Sequence, residues 1–191
     1  MEFLEKIIQY DKELFIWLNG LGNESWDAFW IAATNMFSWI PLYLFLFFLI
    51  FKAFGWKKGL ILVLITALMV TFSDQFANLI KHSVERLRPN NDPSINQFIR
   101  ILHTPRGFSF YSAHAGTSMA VTTFMYKTLK DRFQYIYLLY LWPVFFAYSR
   151  IYVGVHYPID VLTGAFTGFL IGWLFYTLSQ LYFKRFPVKA Q

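Results

Sequence analysis

Apolar residues fall along this chain in long blocks separated by short charged stretches, not in the helical or alternating stripes of a half-buried soluble fold. A membrane-spanning helix needs about 20 mostly apolar residues. Residues 28–51 supply one, with Leu42-Tyr43-Leu44-Phe45-Leu46-Phe47-Phe48-Leu49-Ile50-Phe51 as its second half. Residues 57–80 supply another, opening at Lys57-Lys58 and turning polar towards its end. Residues 112–128 form a shorter block rich in small side chains (Ala113, Ala115, Gly116, Ser118, Ala120), better suited to close helix contact than to lipid, which predicts a central position. Residues 133–150 and 158–183 complete a set of five. The last carries Gly164, Gly168 and Gly172 at four-residue spacing, one smooth face for tight packing.

Residues 1–20 follow a different pattern. Phe3, Ile7, Tyr10, Leu14 and Leu18 share a helical face, while Glu2, Glu5, Lys12 and Glu13 lie elsewhere around it. That suits an amphipathic helix lying in the membrane interface, with a sixth span as the alternative. Charges interrupt its apolar run and no small-residue cleavage site follows, so it does not read as a cleavable signal. The expected fold is all-α: a single domain over residues 1–191, built as a multi-pass transmembrane bundle of five spans plus the interfacial helix, or of six spans.

Composition strengthens this picture. Apolar types make up 57% of the 191 residues and charged types only 15%, against roughly 25% charged in soluble domains. Mean hydropathy is +0.40. A disordered chain is excluded. The absence of cysteine removes a disulfide framework, a thiolate metal site and a Cys nucleophile. The net charge of +6 would admit a nucleic-acid partner if the bases were scattered. They are not: Lys52, Lys57, Lys58, Lys127, Lys130, Arg132, Lys184, Arg185 and Lys189 flank the spans on one side, with Asp131 as the one acid among them. Positive charge beside spans marks the cytoplasmic face. The N-terminus, residues 81–111 and residues 150–158 then lie on the extracytoplasmic side of a cell (inner) membrane.

Three segments on that outer side concentrate polar chemistry. In Lys81-His82-Ser83-Val84-Glu85-Arg86-Leu87-Arg88-Pro89, a helix would put Lys81 and Arg88 on one face, and Pro89 should end the helix near Arg88. Extended backwards, the face collects Thr71, Asp74, Asn78, Lys81 and Glu85. Ionisable groups in a span normally face the bundle interior, and Asp74 could restrain Lys81 or hold the bundle together. Alone, this segment could equally be a snorkelling basic end. In Tyr111-Ser112-Ala113-His114, Ser112 is a natural N-cap whose following free N–H groups can bind an anion. In Ser149-Arg150-Ile151-Tyr152-Val153-Gly154-Val155-His156-Tyr157-Pro158-Ile159-Asp160, the Asp160 carboxylate lies close enough to hold one nitrogen of His156 and leave the other as a nucleophile. A metal-ligand pair is the alternative, though no further His, Cys or acidic cluster completes such a site. His82 and His103 read as loop or interface residues. Lys81, Arg88 and Arg150 together call for a multiply charged anion, and a phosphoryl group fits best. No Walker-type loop is present.

The ordered trio Lys81-x6-Arg88-Pro89, Ser112-x-His114 and Ser149-Arg150-x5-His156-x3-Asp160 resembles the type 2 phosphatidic acid phosphatase family, which includes the vanadium haloperoxidases. The resemblance implies a metal-independent lipid phosphatase with no cofactor, acting on undecaprenyl diphosphate, phosphatidylglycerol phosphate, phosphatidic acid or a lipid A phosphate. Lipid phosphotransfer and non-catalytic lipid binding are the alternatives. It implies that His156 attacks phosphorus and forms a phosphohistidine, that Asp160 orients His156, and that His114 protonates the leaving oxygen. Lys81, Arg88, Ser112, Arg150 and the Ala113 N–H would hold the phosphate. The family's usual second motif is Pro-Ser-Gly-His, where this chain has Tyr111-Ser112-Ala113-His114; Ala113 should be tolerated if its backbone is helical. Arg100 and Arg106 could contact a second anionic group of the substrate or lie against anionic headgroups. The expected partners are a phosphorylated lipid and the membrane, with no nucleic acid and no obligate protein partner.

Overall fold

The structure, a computed structural model, describes residues 2–187; Lys189, one of the nine flanking bases, lies outside them. Six α-helices and several short 3-10 turns account for the regular structure, and no strand occurs among the described residues. In chain order the helices are α1 (Glu2–Gly20), α2 (Glu24–Thr34), α3 (Ile40–Val84), α4 (Ala113–Leu129), α5 (Leu141–Tyr152) and α6 (Pro158–Arg185). Two segments, Met36–Asn91 and Pro158–Arg185, are long and apolar enough to cross a membrane.

α3 is two helical arms. Gly55 sits at φ 70 and ψ 178, outside helical geometry, a conformation that glycine adopts without steric cost. The chain reverses there: a Cβ on Gly59 would press into the Phe51 ring, and Tyr43 of the first arm shares a cavity wall with Val70 and Asp74 of the second.

α4 lies centrally against α6, and the glycine stripe makes the contact. A Cβ at Gly164, Gly168 or Gly172 would run into the carbonyl oxygen of Ser112, Gly116 or Ala120 respectively. The two backbones therefore touch over two turns, as the spacing predicts. Around this pair, Leu46, Ile50, Leu62, Met69, Val121, Phe124, Leu129, Trp142 and Phe146 belong to one buried cluster. A second cluster, with Phe15, Ala115, Ala147, Ile151, Tyr157 and Val161, seats α1.

Two predicted spans need correction. Residues 28–51 are not one helix. The Asn35 side chain accepts a hydrogen bond from the Phe37 N–H at 3.0 Å and starts a 3-10 turn (Met36–Trp39), and Pro41 then opens α3 without a donor N–H. Residues 133–150 likewise divide into a 3-10 turn (Ile136–Tyr140) and α5. Pro143 cannot donate to the preceding turn but fits a helix's first turn.

α1 crosses one end of the bundle. The Asn19 amide donates to the carbonyls of Ile151 and Tyr152 at the end of α5 (3.1 and 3.0 Å), and Asp11 accepts from the Ile159 N–H at the start of α6 at 2.9 Å. Phe3, Tyr10 and Leu14 stay exposed, while Asp11, Phe15 and Asn19 form the buried stripe.

Candidate active site

The end of the bundle under α1 is where chain termini of several helices meet. Lys81 stands in the last turn of α3, Ala113 and His114 in the first turn of α4, Arg150 in the last turn of α5 and Asp160 in the first turn of α6. Arg88 and His156 come from the connecting loops. α3 stops earlier than Pro89 suggests: Glu85, at φ 52, takes a left-handed C-cap and returns its N–H to the Lys81 carbonyl at 2.9 Å. Lys81 and Arg88 thus do not share a helical face. Arg88 lies in extended backbone, where its guanidinium donates to the carbonyls of Gly107 (3.2 Å) and Val155 (3.3 Å).

The convergence expected of these residues is nevertheless present. Lys81, Arg88, Ala113, His114, Arg150 and His156 all line one cavity of about 840 Å³. Its walls include Thr34 at the end of α2, Asn35 just beyond it, and Thr71 and Asp74 of α3. Ser112 and Asp160 stand behind the wall. Ser112 is fully buried and caps α4 through the Ala115 N–H at 3.4 Å, and its own N–H donates to the Asp160 carbonyl at 3.0 Å. Ala113 is the first residue of α4 and is helical, so the missing glycine of the second motif costs nothing in backbone geometry.

The cavity is charged one way. Arg88 and Arg150 are 6% and 4% exposed, and among the described residues neither has a carboxylate within ion-pairing distance. Arg150 donates to the Thr34 hydroxyl and leaves its Nε without a partner. Buried cations are tolerated when a counter-charge arrives, and a multiply charged anion fits this cluster. His156 is 1% exposed. Its Nε2 lies 3.4 Å from the Arg88 guanidinium. Burial first, then Arg150, Arg88 and Lys81, hold its pKa well below the ordinary imidazole range. An imidazole held neutral beside cations keeps a lone pair with which it could attack an electrophile.

Asp160 sits as expected but is bonded otherwise. Its Oδ2 is 3.6 Å from His156 Nδ1, too long for a hydrogen bond, and Nδ1 has no partner. The carboxylate instead accepts from the Tyr157 N–H (2.9 Å) and from Arg86 (2.7 Å). The metal-pair alternative finds no support, since no group of three or more His, Cys, Asp or Glu is placed to hold an ion among the described residues.

Sequence reasoning also missed neighbours. His103 is a wall residue of the cavity, and burial, followed by Arg150 and Arg88, lowers its pKa. Arg86 and Asp11 form an ion pair at 2.6 Å behind Asp160, with Asp11 buried and Arg86 partly exposed. Arg100 does not reach the cavity: both oxygens of Asp27 accept from it at 2.8 Å, which withdraws it from any contact with a second anionic group. Nothing in the spacing of a loop histidine or a helix aspartate distinguishes it from a solvated one. The clue available was Arg86, a third base between Lys81 and Arg88.

A model of the PAP2 superfamily matches residues 58–184. A lipid A 4'-phosphatase of Bacteroides thetaiotaomicron is 36% identical over 184 residues, covering 94% of this chain and 80% of that protein. An undecaprenyl-diphosphatase of Sulfolobus acidocaldarius is 30% identical over 172 residues, covering 90% of this chain and 74% of that protein. The crystal structure of a transmembrane PAP2 type phosphatidylglycerolphosphate phosphatase from Bacillus subtilis superposes with a TM-score of 0.68 at 19% identity, covering 95% of this chain and 88% of that one, and shares the fold.

Proposed function

This chain belongs to the PAP2 superfamily and is a membrane lipid phosphatase, and from that premise we propose that it releases the 4'-phosphate of lipid A through a phosphohistidine on His156. The observation that carries the chemistry is the buried His156, its Nε2 3.4 Å from Arg88, at the wall of a cavity shared with Lys81, Arg88 and Arg150. A phosphate seated among those cations also meets the Ala113 N–H at the start of α4, where free amides favour an anion. The Nε2 lone pair forms the bond to phosphorus as the bond to the lipid oxygen breaks, and His114 gives that oxygen its proton. Asp160 receives the Nδ1–H of the now cationic ring. In the second half, His114 takes a proton from water as it attacks phosphorus, inorganic phosphate leaves, and His156 is regenerated. Lys81, Arg88 and Arg150 neutralise the equatorial oxygens in both halves.

The membrane geometry follows from charge. Lys58, Lys127 and Arg132 surround a small cavity with Asp131 at the other end of the bundle. This supports a cytoplasmic assignment for that end and an extracytoplasmic, periplasmic one for the site. The whole chain then forms one domain in the inner membrane with five crossings, two from α3 and one each from α4, the α5 segment and α6. α1 lies in the interface beside the site.

The substrate assignment rests on the lipid A 4'-phosphatase likeness over nearly the whole chain; undecaprenyl diphosphate is the second reading, on the weaker relative. A phosphate-release screen of purified protein against lipid A, undecaprenyl diphosphate, phosphatidylglycerol phosphate and phosphatidic acid tests it. Fastest release from lipid A, with loss of the 4'-phosphate, is expected. Faster release from any other lipid overturns the assignment, and a phosphorylated second lipid among the products replaces hydrolysis by transfer.

A further inference from the structure

Behind the cavity lies a largely buried charge array of which the phosphate chemistry uses only Asp160. Arg86 bridges two carboxylates: its Nη1 donates to Asp160 Oδ1 at 2.7 Å and its Nη2 to Asp11 Oδ2 at 2.6 Å. The two aspartates are 0% and 1% exposed at the side chain, Arg86 19%. The guanidinium lies over the Tyr157 ring, 3.8 Å from its centre, and Tyr157 donates its hydroxyl to Asp92, which pairs with Lys12. The other oxygen of Asp11 takes the Ile159 N–H of α6. α1 thus grips the start of α6 at two consecutive residues.

We infer that Asp11 and Arg86 are positioning residues for the catalytic step: together they hold the Asp160 carboxylate at the distance and with the charge that the His156 ring needs when it becomes cationic. The inference rests on His156 being the nucleophile. One guanidinium shared by two carboxylates leaves the trio with a net charge of −1. Without Asp11, Arg86 and Asp160 would form a neutral pair with little left for the imidazolium. The geometric argument is that Arg86 and the Tyr157 N–H fix the two oxygens of Asp160. Its Oδ2 therefore already faces the Nδ1–H, 3.6 Å away, and has only a short way to close once phosphorylation of Nε2 makes the ring cationic. Burial works to lower the pKa of Arg86, and the two carboxylates outweigh it, so the bridge stays charged. The other charged or titratable groups facing His156 are Arg150 from α5, Arg88 from the loop, Lys81 from α3 and His114 from α4.

The test compares Asp11→Asn, Arg86→Lys, Arg86→Gln and the double variant Asp11→Asn/Arg86→Gln with the parent protein in detergent. The readouts are folded yield, kcat, KM and the pH profile of kcat/KM. Asp11→Asn keeps the shape and removes one charge. It is expected to lower kcat roughly tenfold, the scale of one weakened charge-assisted hydrogen bond, with KM within about twofold. The acidic limb of its profile should move to lower pH, because the ring has lost negative charge nearby. Arg86→Lys should retain more kcat than Arg86→Gln. The double variant restores the net charge of −1 but lacks the guanidinium that holds Asp160 Oδ1, so its acidic limb should return towards the parental position while kcat stays low. A merely structural role predicts lower yield with unchanged kcat per folded molecule and an unmoved pH limb; either result for Asp11→Asn overturns the inference. His156→Ala runs alongside: if it retains turnover, the nucleophile assignment itself has failed, whereas a dead His156→Ala beside a normal Asp11→Asn sinks only the positioning role.

Discussion

Gly164→Ala is the sharpest mechanical probe of how this fold serves its site. The added methyl would lie 2.5 Å from the Ser112 carbonyl oxygen, where ordinary van der Waals contact begins at 3.4 Å. The obstacle is backbone, and Ser112 is tied down because its N–H donates to the Asp160 carbonyl. α4 and α6 must therefore part by about 0.9 Å at the level of the site. His114 rides on α4, while Asp160 belongs to α6 and His156 to the loop leading into it, so the shift opens the gap between proton donor and nucleophile. A misplacement of about 1 Å is worth on the order of a hundredfold in rate, and overpacking of this kind costs about 1–3 kcal/mol. We expect kcat to fall roughly a hundredfold and the melting temperature to drop, although no reacting group has changed. Gly20→Ala is the control: a Cβ there meets nothing within 4 Å, and its stability should stay within about 0.5 kcal/mol of the parent. Thermal melts and phosphate-release kinetics on the purified variants decide it. A Gly164→Ala protein with parental kcat would refute the claim that α4–α6 backbone contact sets the catalytic distances.

Because burial and three cations lower the pKa of His156, its ring stays neutral as pH falls through 6.5, and activity is lost only as pH drops through the lowered value. The acidic limb of kcat/KM should therefore lie below pH 6.5; a limb above it contradicts this environment. Since Lys81, Arg88 and Arg150 supply the positive charge at the phosphate, EDTA should leave turnover intact and orthovanadate should inhibit competitively; loss of activity on chelation, restored by added metal, would overturn the metal-free account. Arg100→Ala should lower the melting temperature by freeing Asp27 without altering the ratio of rates on mono- and diphosphate lipids; a changed ratio would return Arg100 to the substrate.

Much of this was legible from residue order, and the exceptions have physical causes. Gly164, Gly168 and Gly172 announced the α4–α6 contact because glycine at every fourth position makes sense only where two backbones meet. Lys81, Arg88, His114, Arg150 and His156 were legible because cations and imidazoles on an apolar scaffold are costly without a function. The division of residues 28–51 was not, since hydrophobicity counts lipid-facing atoms and is blind to a carboxamide such as Asn35 that captures a backbone N–H. Asp160 was found, but its main partner was not: proximity in sequence favoured His156, whereas the shorter bond comes from Arg86, 74 residues away. Asp11 was hidden for a similar reason. On an amphipathic helix a lone aspartate belongs by default to the wet face, and only the tertiary fold turns it towards a buried guanidinium.

The proposed chemistry depends on His156 carrying the phosphoryl group. Rapid acid-free quenching of the enzyme with a phosphate-labelled lipid substrate, followed by peptide mapping, tests it directly. An acid-labile, base-stable label on the peptide holding His156, absent from His156→Ala, is the predicted result. Label on a different residue, or a His156→Ala enzyme that turns over at the parental rate, would contradict the account.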